Sequence, residues 1–321
     1  MPLNQPLVTV GIPTYNRPEG LRKTLECITG QTYKNLEIIV SDNNSPTDES
    51  ERIVSEFLRK DQRVNFYRQP ENKGQTFNFL FVLEKAQGGY FMWAADDDWW
   101  APEFVEKIMA LFSAVPKAVA GFSNFIEVDS SGYQVTSYPD HLPLLKEFTV
   151  TDKVKCAKNF IMQYEGFGKA NLFNSIFKTE LIKAPEVLAI LNSGCMPADM
   201  WVVLHILLQG RLALVPEVLR KCTVANPKDY PRPEASDENV DLFLLTVNWG
   251  RLKQLHARWG RYLYRYFHII ARSNLTLGEK VSLYPAVAGR IASFYYDLVC
   301  MTFRLRGCNV FYRLKGKYNL E

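Results

Sequence analysis

Residues 88–100 read GGYFMWAADDDWW, an apolar and aromatic run that stops at three consecutive aspartates. The run has the composition of a buried β-strand. Three adjacent carboxylates repel one another, and each is better stabilised by water or a cation than by an apolar wall. Two interpretations follow. Asp96, Asp97 and Asp98 bind a hard metal ion at the end of the strand, or they form a solvated acidic turn before a helix that Pro102 opens.

The residues before this stretch predict three more strands that alternate with helices. Apolar runs indicate strands at residues 7–12, 36–40 and 64–67, with helices at about residues 18–30, 48–60 and 74–86 between them. This βαβαβαβ order predicts an α/β fold with a mostly parallel sheet and helices on both faces. Ligands of such sheets bind beyond the carboxyl ends of the strands. The polar clusters at residues 14–17, 42–44 and 96–98 should therefore converge there, which favours the metal-site interpretation.

The chain after the aspartates predicts the rest of one domain and a helical appendage. We expect strands at residues 118–123 and 125–128, and helices at residues 150–164, 180–191 and 197–209. Prolines interrupt residues 225–233, which indicates a boundary between domains. The predicted organisation is a domain at residues 1–224, a proline-rich linker at residues 225–238 and a basic, aromatic helical region at residues 239–321.

Cysteine spacing and the absence of several sequence motifs disfavour several classes of protein. The six cysteines form no close pair, so neither a zinc site nor a disulfide framework is expected. No GxGxxG follows the first strand and no GxxxxGK[ST] occurs, which disfavours dinucleotide oxidoreductases and P-loop NTPases. The first residues lack the features of a signal peptide, and no apolar stretch approaches the roughly 20 residues of a membrane span. We therefore expect a cytoplasmic protein.

Charge is distributed unevenly along the chain. Residues 251–321 hold thirteen Lys/Arg and three acidic residues, a balance of +10, so the first 250 residues carry −6 of the total of +4. The basic region has three interpretations: a solvated appendage, a patch that contacts anionic lipid headgroups at the inner face of the cell membrane, or an oligomer contact. Nucleic acid is not an expected partner, because no recognition module occurs and the first part of the chain is acidic.

Several ordered motifs together resemble the family 2 glycosyltransferases, nucleotide-sugar enzymes of the GT-A fold. The resemblance covers roughly residues 7–220 and is far more specific than the acidic motif alone. The motifs are VTVGIPTYNR at 8–17, QTY at 31–33, EIIVSDNNS at 37–45, NKG at 72–74, AQGGY at 86–90, the aspartates and PEF at 102–104.

The resemblance implies a role for each matching residue. Asp42 corresponds to the carboxylate that binds the nucleobase, in a pocket lined by Pro13 and Tyr15, and Thr14 and Arg17 follow in the same nucleotide-binding loop. Asp96 corresponds to the residue near the ribose. Asp97 would bind a divalent cation, Mn²⁺ or Mg²⁺, with Asp98 assisting as a second residue of the metal site. The cation would neutralise the departing nucleotide.

Two departures from the family pattern bear on the donor. Ala95 stands where many members have an aspartate, which moves the metal site onto the residues that follow. An arginine common after the NKG turn is absent, and Asn78 stands in that helix as a candidate contact to the nucleotide or the donor sugar. The nucleotide of the donor, UDP, CDP, GDP or dTDP, therefore stays open.

The family deprotonates the acceptor hydroxyl with a carboxylate that lies later in the chain, and the candidate here is Asp199. An N-cap of the predicted helix is the alternative use of this residue. The resemblance implies an inverting, metal-dependent glycosyltransferase that acts on a glycan or lipid-linked saccharide in bacterial surface polysaccharide or lipopolysaccharide synthesis. The alternatives are a sugar-nucleotide nucleotidyltransferase and a non-catalytic nucleotide-sugar-binding protein.

Overall fold

The computed structural model describes residues 5–115, 117–129, 132–134, 141–163, 169–193, 198–223 and 260–302. The chain divides into two compact units, Met1–Val224 and Ala225–Glu321. The predicted linker at residues 225–238, with the segments 239–259 and 303–321 of the predicted helical region, lies outside the described residues.

The first unit opens with four strands that alternate with three helices, as the apolar periodicity predicts. These elements are β1 (Val8–Thr14), α1 (Pro18–Thr29), β2 (Leu36–Asp42), α2 (Glu49–Leu58), β3 (Val64–Arg68), α3 (Gln75–Lys85) and β4 (Tyr90–Trp93). Strand β1 pairs in parallel with both β2 and β4, and β2 pairs in parallel with β3. The predicted α/β class is confirmed, and these four strands form the half of the sheet that leads into the acidic motif.

The remaining elements complete a sheet of eight strands. They are β5 (Trp99–Trp100), α4 (Phe104–Ala114), β6 (Ala118–Val128), α5 (Leu142–Lys146), α6 (Lys153–Met162), a 3₁₀ segment (Lys169–Asn174), β7 (Ile176–Lys178), α7 (Thr179–Ile182), α8 (Pro185–Leu191), α9 (Ala198–Leu207) and β8 (Arg211–Thr223). The strand order is β3-β2-β1-β4-β7-β6-β8-β5. Strand β7 is antiparallel to both neighbours and β5 is antiparallel to β8, so the sheet is mixed although β6 and β8 are parallel.

Some predicted boundaries are wrong. Strand β1 continues through Thr14, because that residue pairs with Asp42 in the parallel register. One strand, β6, replaces the two predicted at residues 118–128, with register shifts around Asn124 rather than a break. The helix predicted at residues 180–191 is two helices, since Pro185 starts the second. Strand β8 was not predicted at all.

Apolar faces of the helices bury against the sheet. Helix α1 buries Leu21, Leu25 and Ile28, and α4 buries Phe104, Val105 and Ile108, in one cluster with the strand side chains Val10, Ile12, Ile38 and Met92. Helix α9 is different, because every residue from Met200 to Leu207 is buried. Closely packed apolar side chains of the helices and the sheet therefore support the carboxyl ends of β1, β2 and β4.

The second unit contains two described helices, α10 (Arg261–Arg272) and α11 (Leu277–Thr302), which pack on one another. The helical character predicted for residues 239–321 is confirmed over these two helices. Arg261, Tyr264, His268 and Arg272 are exposed along one face of α10. Among the described residues, no helix has both the length and the apolar character needed to cross a membrane.

Candidate active site

The three predicted polar clusters meet at one edge of the sheet. Thr14 and Asp42 are paired at the ends of β1 and β2, and the backbone N–H of Ala94 donates to the carbonyl of Gly11 just after β4 ends. The chain then turns so that the aspartates stand beside the end of β1. Their position follows from the parallel pairing of β4 with β1, which carries residues 94–98 beyond the sheet edge.

Asp96 and Asp97 contact the last residue of β1 and the loop that follows it. The hydroxyl of Thr14 donates to Oδ2 of Asp96 at 2.7 Å. Nη1 of Arg17 lies 3.3 Å from Oδ1 of Asp96 and 2.5 Å from Oδ2 of Asp97. Asp96 is nearly buried, while the side chain of Asp97 retains 32% exposure. Asp97 is therefore the carboxylate of this pair that a ligand can reach.

Helix α1 holds the backbone of the acidic motif. The hydroxyl of Thr24 donates to the carbonyl oxygen of Ala95 at 3.0 Å. A Cβ atom on Gly20 would lie 2.2 Å from the carbonyl oxygen of Asp96, so only a glycine permits the helix to approach this closely. Gly20 was not predicted from the sequence, and a glycine in the first turn of a helix is the signal that could have revealed it.

The carboxylate of Asp98 pairs with Arg220, a residue that was also not predicted from the sequence. Nε of Arg220 donates to Oδ2 of Asp98 at 3.0 Å, and the backbone N–H of Thr223 donates to Oδ1 at 3.0 Å. Both charged side chains are only 6% exposed. Strand β8 therefore neutralises Asp98 within the protein, which leaves Asp97 as the more accessible oxygen donor of the motif.

Burial disfavours the ionised forms of Asp96 and Asp97. Loss of hydration raises the pKa of Asp96, although the hydroxyl of Thr14 and the charge of Arg17 oppose the change. The pKa of Asp97 is raised to about 6, again chiefly by burial, and its neighbours Asp98 and Asp96 raise it further while Arg17 lowers it. A cation at this edge would stabilise the ionised forms.

Asp42 is buried in the turn that follows β2. Its Oδ2 accepts the backbone N–H of Ser45 at 3.1 Å and its Oδ1 accepts the hydroxyl of Ser45. Arg68 lies 3.7 Å from Oδ2 on the other side. The carboxylate thus stabilises its own turn. Beside it, Pro13 is buried and Tyr15 is 44% exposed at the sheet edge.

Asn78 braces the ends of two strands. Its amide nitrogen donates to the carbonyl of Thr14 at 3.2 Å and to that of Ser41 at 2.9 Å, and its Oδ1 accepts the hydroxyl of Ser41 at 2.6 Å. The side chain is buried. These contacts hold the strand ends that precede Tyr15 and Arg17 and that carry Asp42. Asn78 therefore stabilises this edge of the sheet from a buried position.

Asp199 lies in the first turn of α9, where its Oδ1 accepts the backbone N–H of Met200 at 2.7 Å. The residue is inside the helix rather than ahead of it, so it is not a simple N-cap. Burial raises its pKa to about 6, and the charge of Lys169 partly offsets that effect. Lys169 is fully buried, and its Nζ donates to the carbonyls of Phe160 and Gln163 at 3.1 and 2.9 Å.

The acidic motif has the donor chemistry for a divalent cation that a substrate helps to bind. Among the described residues, no group of three His, Cys, Asp or Glu side chains could hold a metal ion by itself. Mg²⁺ in phosphate-transfer sites is, however, commonly held by one or two carboxylates together with substrate phosphates. The partly exposed Asp97, with Asp96 beside it, fits a site of that kind.

A family model gives the identity that this geometry suggests. The model described as "Glycosyl transferase family 2" matches residues 9–176, which include nearly all of β1, the strands β2 to β6 and the acidic motif. The chain belongs to this family. The family predicted from the sequence is therefore confirmed, and with it the class of enzyme.

Relatives of this family 2 glycosyltransferase include a Campylobacter jejuni protein named GalNAc(5)-diNAcBac-PP-undecaprenol beta-1,3-glucosyltransferase. The two are 35% identical over 94 residues, which cover 29% of this chain and 30% of the relative. The chain spans about half, or less, of the length of the curated relatives it matches first.

Solved structures show the same fold at low sequence identity. TarS 1-349 of S. aureus, solved in complex with UDP-GlcNAc, has a TM-score of 0.59 and 15% identity, and the match covers 90% of this chain and 73% of that one. The mannosyltransferase PcManGT of Pyrobaculum calidifontis, solved with GDP-Man and Mn²⁺, has a TM-score of 0.50 and 16% identity over 100% of this chain and 89% of that one. This family 2 glycosyltransferase therefore has the GT-A-like fold predicted from its sequence.

Proposed function

We propose that this protein is an inverting, metal-dependent glycosyltransferase that uses a nucleotide-diphospho-sugar donor. The observation that carries the proposal is the contact of Thr14 and Arg17, at the end of β1, with Asp96 and Asp97, after β4. This contact joins the loop proposed for the nucleotide to the carboxylate proposed for the metal. The family match favours glycosyl transfer over the nucleotidyltransferase alternative.

The nucleotide site that we propose comprises Pro13, Thr14, Tyr15, Arg17, Asp42, Asn78 and Asp96. Tyr15 offers an exposed ring against which a base can stack. Asp42 holds the turn at residues 42–45, and its contact with the nucleobase would require an oxygen lone pair beyond those that Ser45 uses. Arg17 supplies a positive charge beside the position proposed for the diphosphate. Asn78 acts indirectly, through the carbonyls of Thr14 and Ser41.

The metal site that we propose centres on Asp97, with Asp96 beside it. Mn²⁺ or Mg²⁺ bound there would supply a positive charge that stabilises the leaving nucleoside diphosphate. PcManGT, which has the same fold, is described with GDP-Man and Mn²⁺. Asp98 would contribute to this site through the backbone, because its carboxylate pairs with Arg220.

The general base that we propose is Asp199. Its carboxylate would accept the proton of the acceptor hydroxyl as the hydroxyl oxygen forms a bond to the anomeric carbon. The bond from that carbon to the phosphate oxygen breaks, and the electron pair leaves with the nucleoside diphosphate. Attack on the face opposite the leaving group inverts the anomeric configuration. A pKa of about 6 leaves most of the base deprotonated at pH 7.

The acceptor that we propose is a glycan or lipid-linked saccharide of bacterial surface polysaccharide or lipopolysaccharide synthesis. The name of the Campylobacter relative, which contains an undecaprenol diphosphate, supports a lipid-linked acceptor. The exposed Arg261, His268 and Arg272 of α10 suit a peripheral contact with anionic lipid at the inner face of the cell membrane. Such a contact would place the protein in the cytoplasm beside its acceptor.

Calorimetry tests the donor and the metal together. UDP, CDP, GDP and dTDP, and sugar forms of each, are titrated into wild-type protein with and without Mn²⁺. We expect one nucleotide to bind with an affinity that Mn²⁺ raises, and Asp97→Asn to remove that increase. Asp61→Asn is the control, since Asp61 pairs with Arg63 outside the site. Metal-independent binding of every nucleotide would exclude the role of Asp97, and an absence of sugar transfer from any donor would favour a non-catalytic binding protein.

A further inference from the structure

Arg220 on β8 is a buried cation whose contacts join two parts of the first unit. Nε and Nη2 lie 3.0 and 2.9 Å from Oδ2 of Asp98. Nη1 and Nη2 donate to the carbonyl and side-chain oxygens of Asn171 at 3.0 and 2.9 Å. The guanidinium group also lies 5.8 Å from the ring centroid of Phe125. A planar fork of five N–H donors spreads these contacts over three nitrogen atoms held in fixed geometry, whereas an ammonium group presents all of its donors at one nitrogen atom.

One end of this connection is the acidic motif. Strand β8 contacts the motif a second time through Thr223, whose N–H donates to Oδ1 of Asp98 and whose hydroxyl donates to the carbonyl of Asp97. The two contacts together hold both the side chain of Asp98 and the peptide unit of Asp97. The direction in which the Asp97 carboxylate projects therefore depends on β8.

The other end is the 3₁₀ segment Lys169–Asn174. This segment packs against α9, the helix that carries Asp199. Its first residue, Lys169, is fully buried and lowers the pKa of Asp199 by its charge. A continuous path of polar contacts and packing thus leads from Asp98, next to Asp97, through Arg220 and Asn171 to the segment that packs against the helix of Asp199.

We propose that Arg220 is a positioning residue that sets the placement of the Asp199 helix relative to the donor held at Asp97. The inference rests on the proposed function, in which Asp97 binds the metal on the donor side and Asp199 deprotonates the acceptor. A buried ion pair is seldom retained for stability, since apolar residues of similar volume often stabilise a fold as well. Fixed geometry between donor and base is, in contrast, directly valuable to catalysis.

Two variants test this connection. Asn171→Ala removes one acceptor of Arg220 but leaves the pair with Asp98 in place. We expect kcat for sugar transfer to fall about 10- to 100-fold, because a misplacement of about 1 Å in a catalytic group has effects of this size. Donor affinity in the presence of Mn²⁺, measured by calorimetry, should change by less than about threefold, and the binding stoichiometry should match that of the wild type. Arg220→Lys should lower kcat at least as much.

Asn159→Ala is the matched control. Asn159 is also partly exposed and donates to a backbone carbonyl, that of Glu147, at 2.8 Å, but it has no contact with Arg220 in the described structure. Its kcat should stay near the wild-type value. The inference is overturned if Asn171→Ala transfers sugar at the wild-type rate, or if its binding stoichiometry falls in proportion to kcat, as loss of folded protein would produce. Failure of the proposed function would instead appear as a wild-type protein that transfers no sugar.

Discussion

Gly20 of helix α1 lies against the backbone of Asp96, so that a Cβ atom at position 20 would stand 2.2 Å from the carbonyl oxygen of Asp96. No real side chain tolerates this distance, and the oxygen belongs to the backbone rather than to a flexible side chain. The absence of one methyl group therefore sets how closely the helix supports the acidic motif.

Gly20→Ala should destabilise the protein, although a glycine-to-alanine change inside a helix ordinarily stabilises. The added methyl group must push either α1 or residues 95–97 aside, which we expect to cost about 1–3 kcal/mol of unfolding free energy. The shift should also weaken metal-dependent donor binding. Urea unfolding and calorimetry measure the two effects.

Gly278→Ala provides the control for Gly20→Ala. Gly278 also lies in the first turns of a helix, α11, but no atom stands within 4 Å of the position its Cβ would take. This variant should leave donor binding unchanged and should be neutral or slightly stabilising. If Gly20→Ala behaved in the same way, the close approach of α1 to Asp96 would have no energetic importance.

Thr14→Val tests the hydroxyl of Thr14, because valine has nearly the same shape but carries a methyl group in place of the hydroxyl. The hydroxyl donates to the buried Oδ2 of Asp96, so its removal leaves a buried acceptor without that donor. We expect a loss of about 1–3 kcal/mol in the free energy of unfolding and a weaker affinity for the donor. Thr32→Val is the control, because Thr32 donates to Glu106 at 2.6 Å in an exposed position. Equal effects of the two substitutions would argue against a special role for the buried bond.

The sequence was sufficient to predict the parts of the site that depend on local pattern and on connectivity. Apolar runs and helix signals indicated β1 to β4, and parallel pairing then required their carboxyl ends to meet. The contact of Thr14 and Arg17 with Asp96 and Asp97 follows from that topology. The roles assigned to these residues in binding and catalysis stay predictions.

The sequence could not show which charges are already paired. Asp98 looks like its two neighbours in the sequence, yet Arg220, 122 residues away, neutralises it. Strand β8 was missed because Pro216 and four charged residues interrupt its apolar pattern, and its partner β6 lies far away in the chain. Asn78 likewise reads as a polar helix residue, while its contacts with Thr14 and Ser41 depend on how α3 crosses two strand ends.

Transfer should depend on pH through Asp199. The base acts only when deprotonated, so kcat should fall about tenfold for each unit of pH below about 6, where the pKa of Asp199 lies. Asp199→Asn should abolish transfer and leave donor affinity unchanged. Near-wild-type transfer by this variant would leave Asp199 only its contact with Met200 at the start of α9.

Asp199 should also lower stability at neutral pH. Its pKa in the folded protein, about 6, is above the ordinary value of 3.8, so the folded state binds the proton more tightly than the unfolded state does. Stability should therefore decrease as pH rises from about 4 to about 6, by on the order of 1–3 kcal/mol, and this loss should remain at higher pH. Asp199→Asn should not show this loss. The measurement is the free energy of unfolding in urea for both proteins at several pH values between 4.5 and 7.5. A difference between the two free energies that stayed constant over this range would contradict the prediction.

Lys169→Met should raise the pH at which transfer is lost. Lys169 is fully buried and its charge lowers the pKa of Asp199, so an apolar side chain of similar length should move that pKa above about 6. The acid limb of the kcat profile should then shift to higher pH, while the rate at high pH should approach that of the wild type. Lys183→Met is the control, because Lys183 also donates to two carbonyls, at 2.8 and 3.2 Å, without acting on Asp199. An unshifted acid limb in Lys169→Met would show either that Asp199 is not the titrating base or that Lys169 does not tune it. Asp199→Asn distinguishes the two, because it abolishes transfer only if Asp199 is the base.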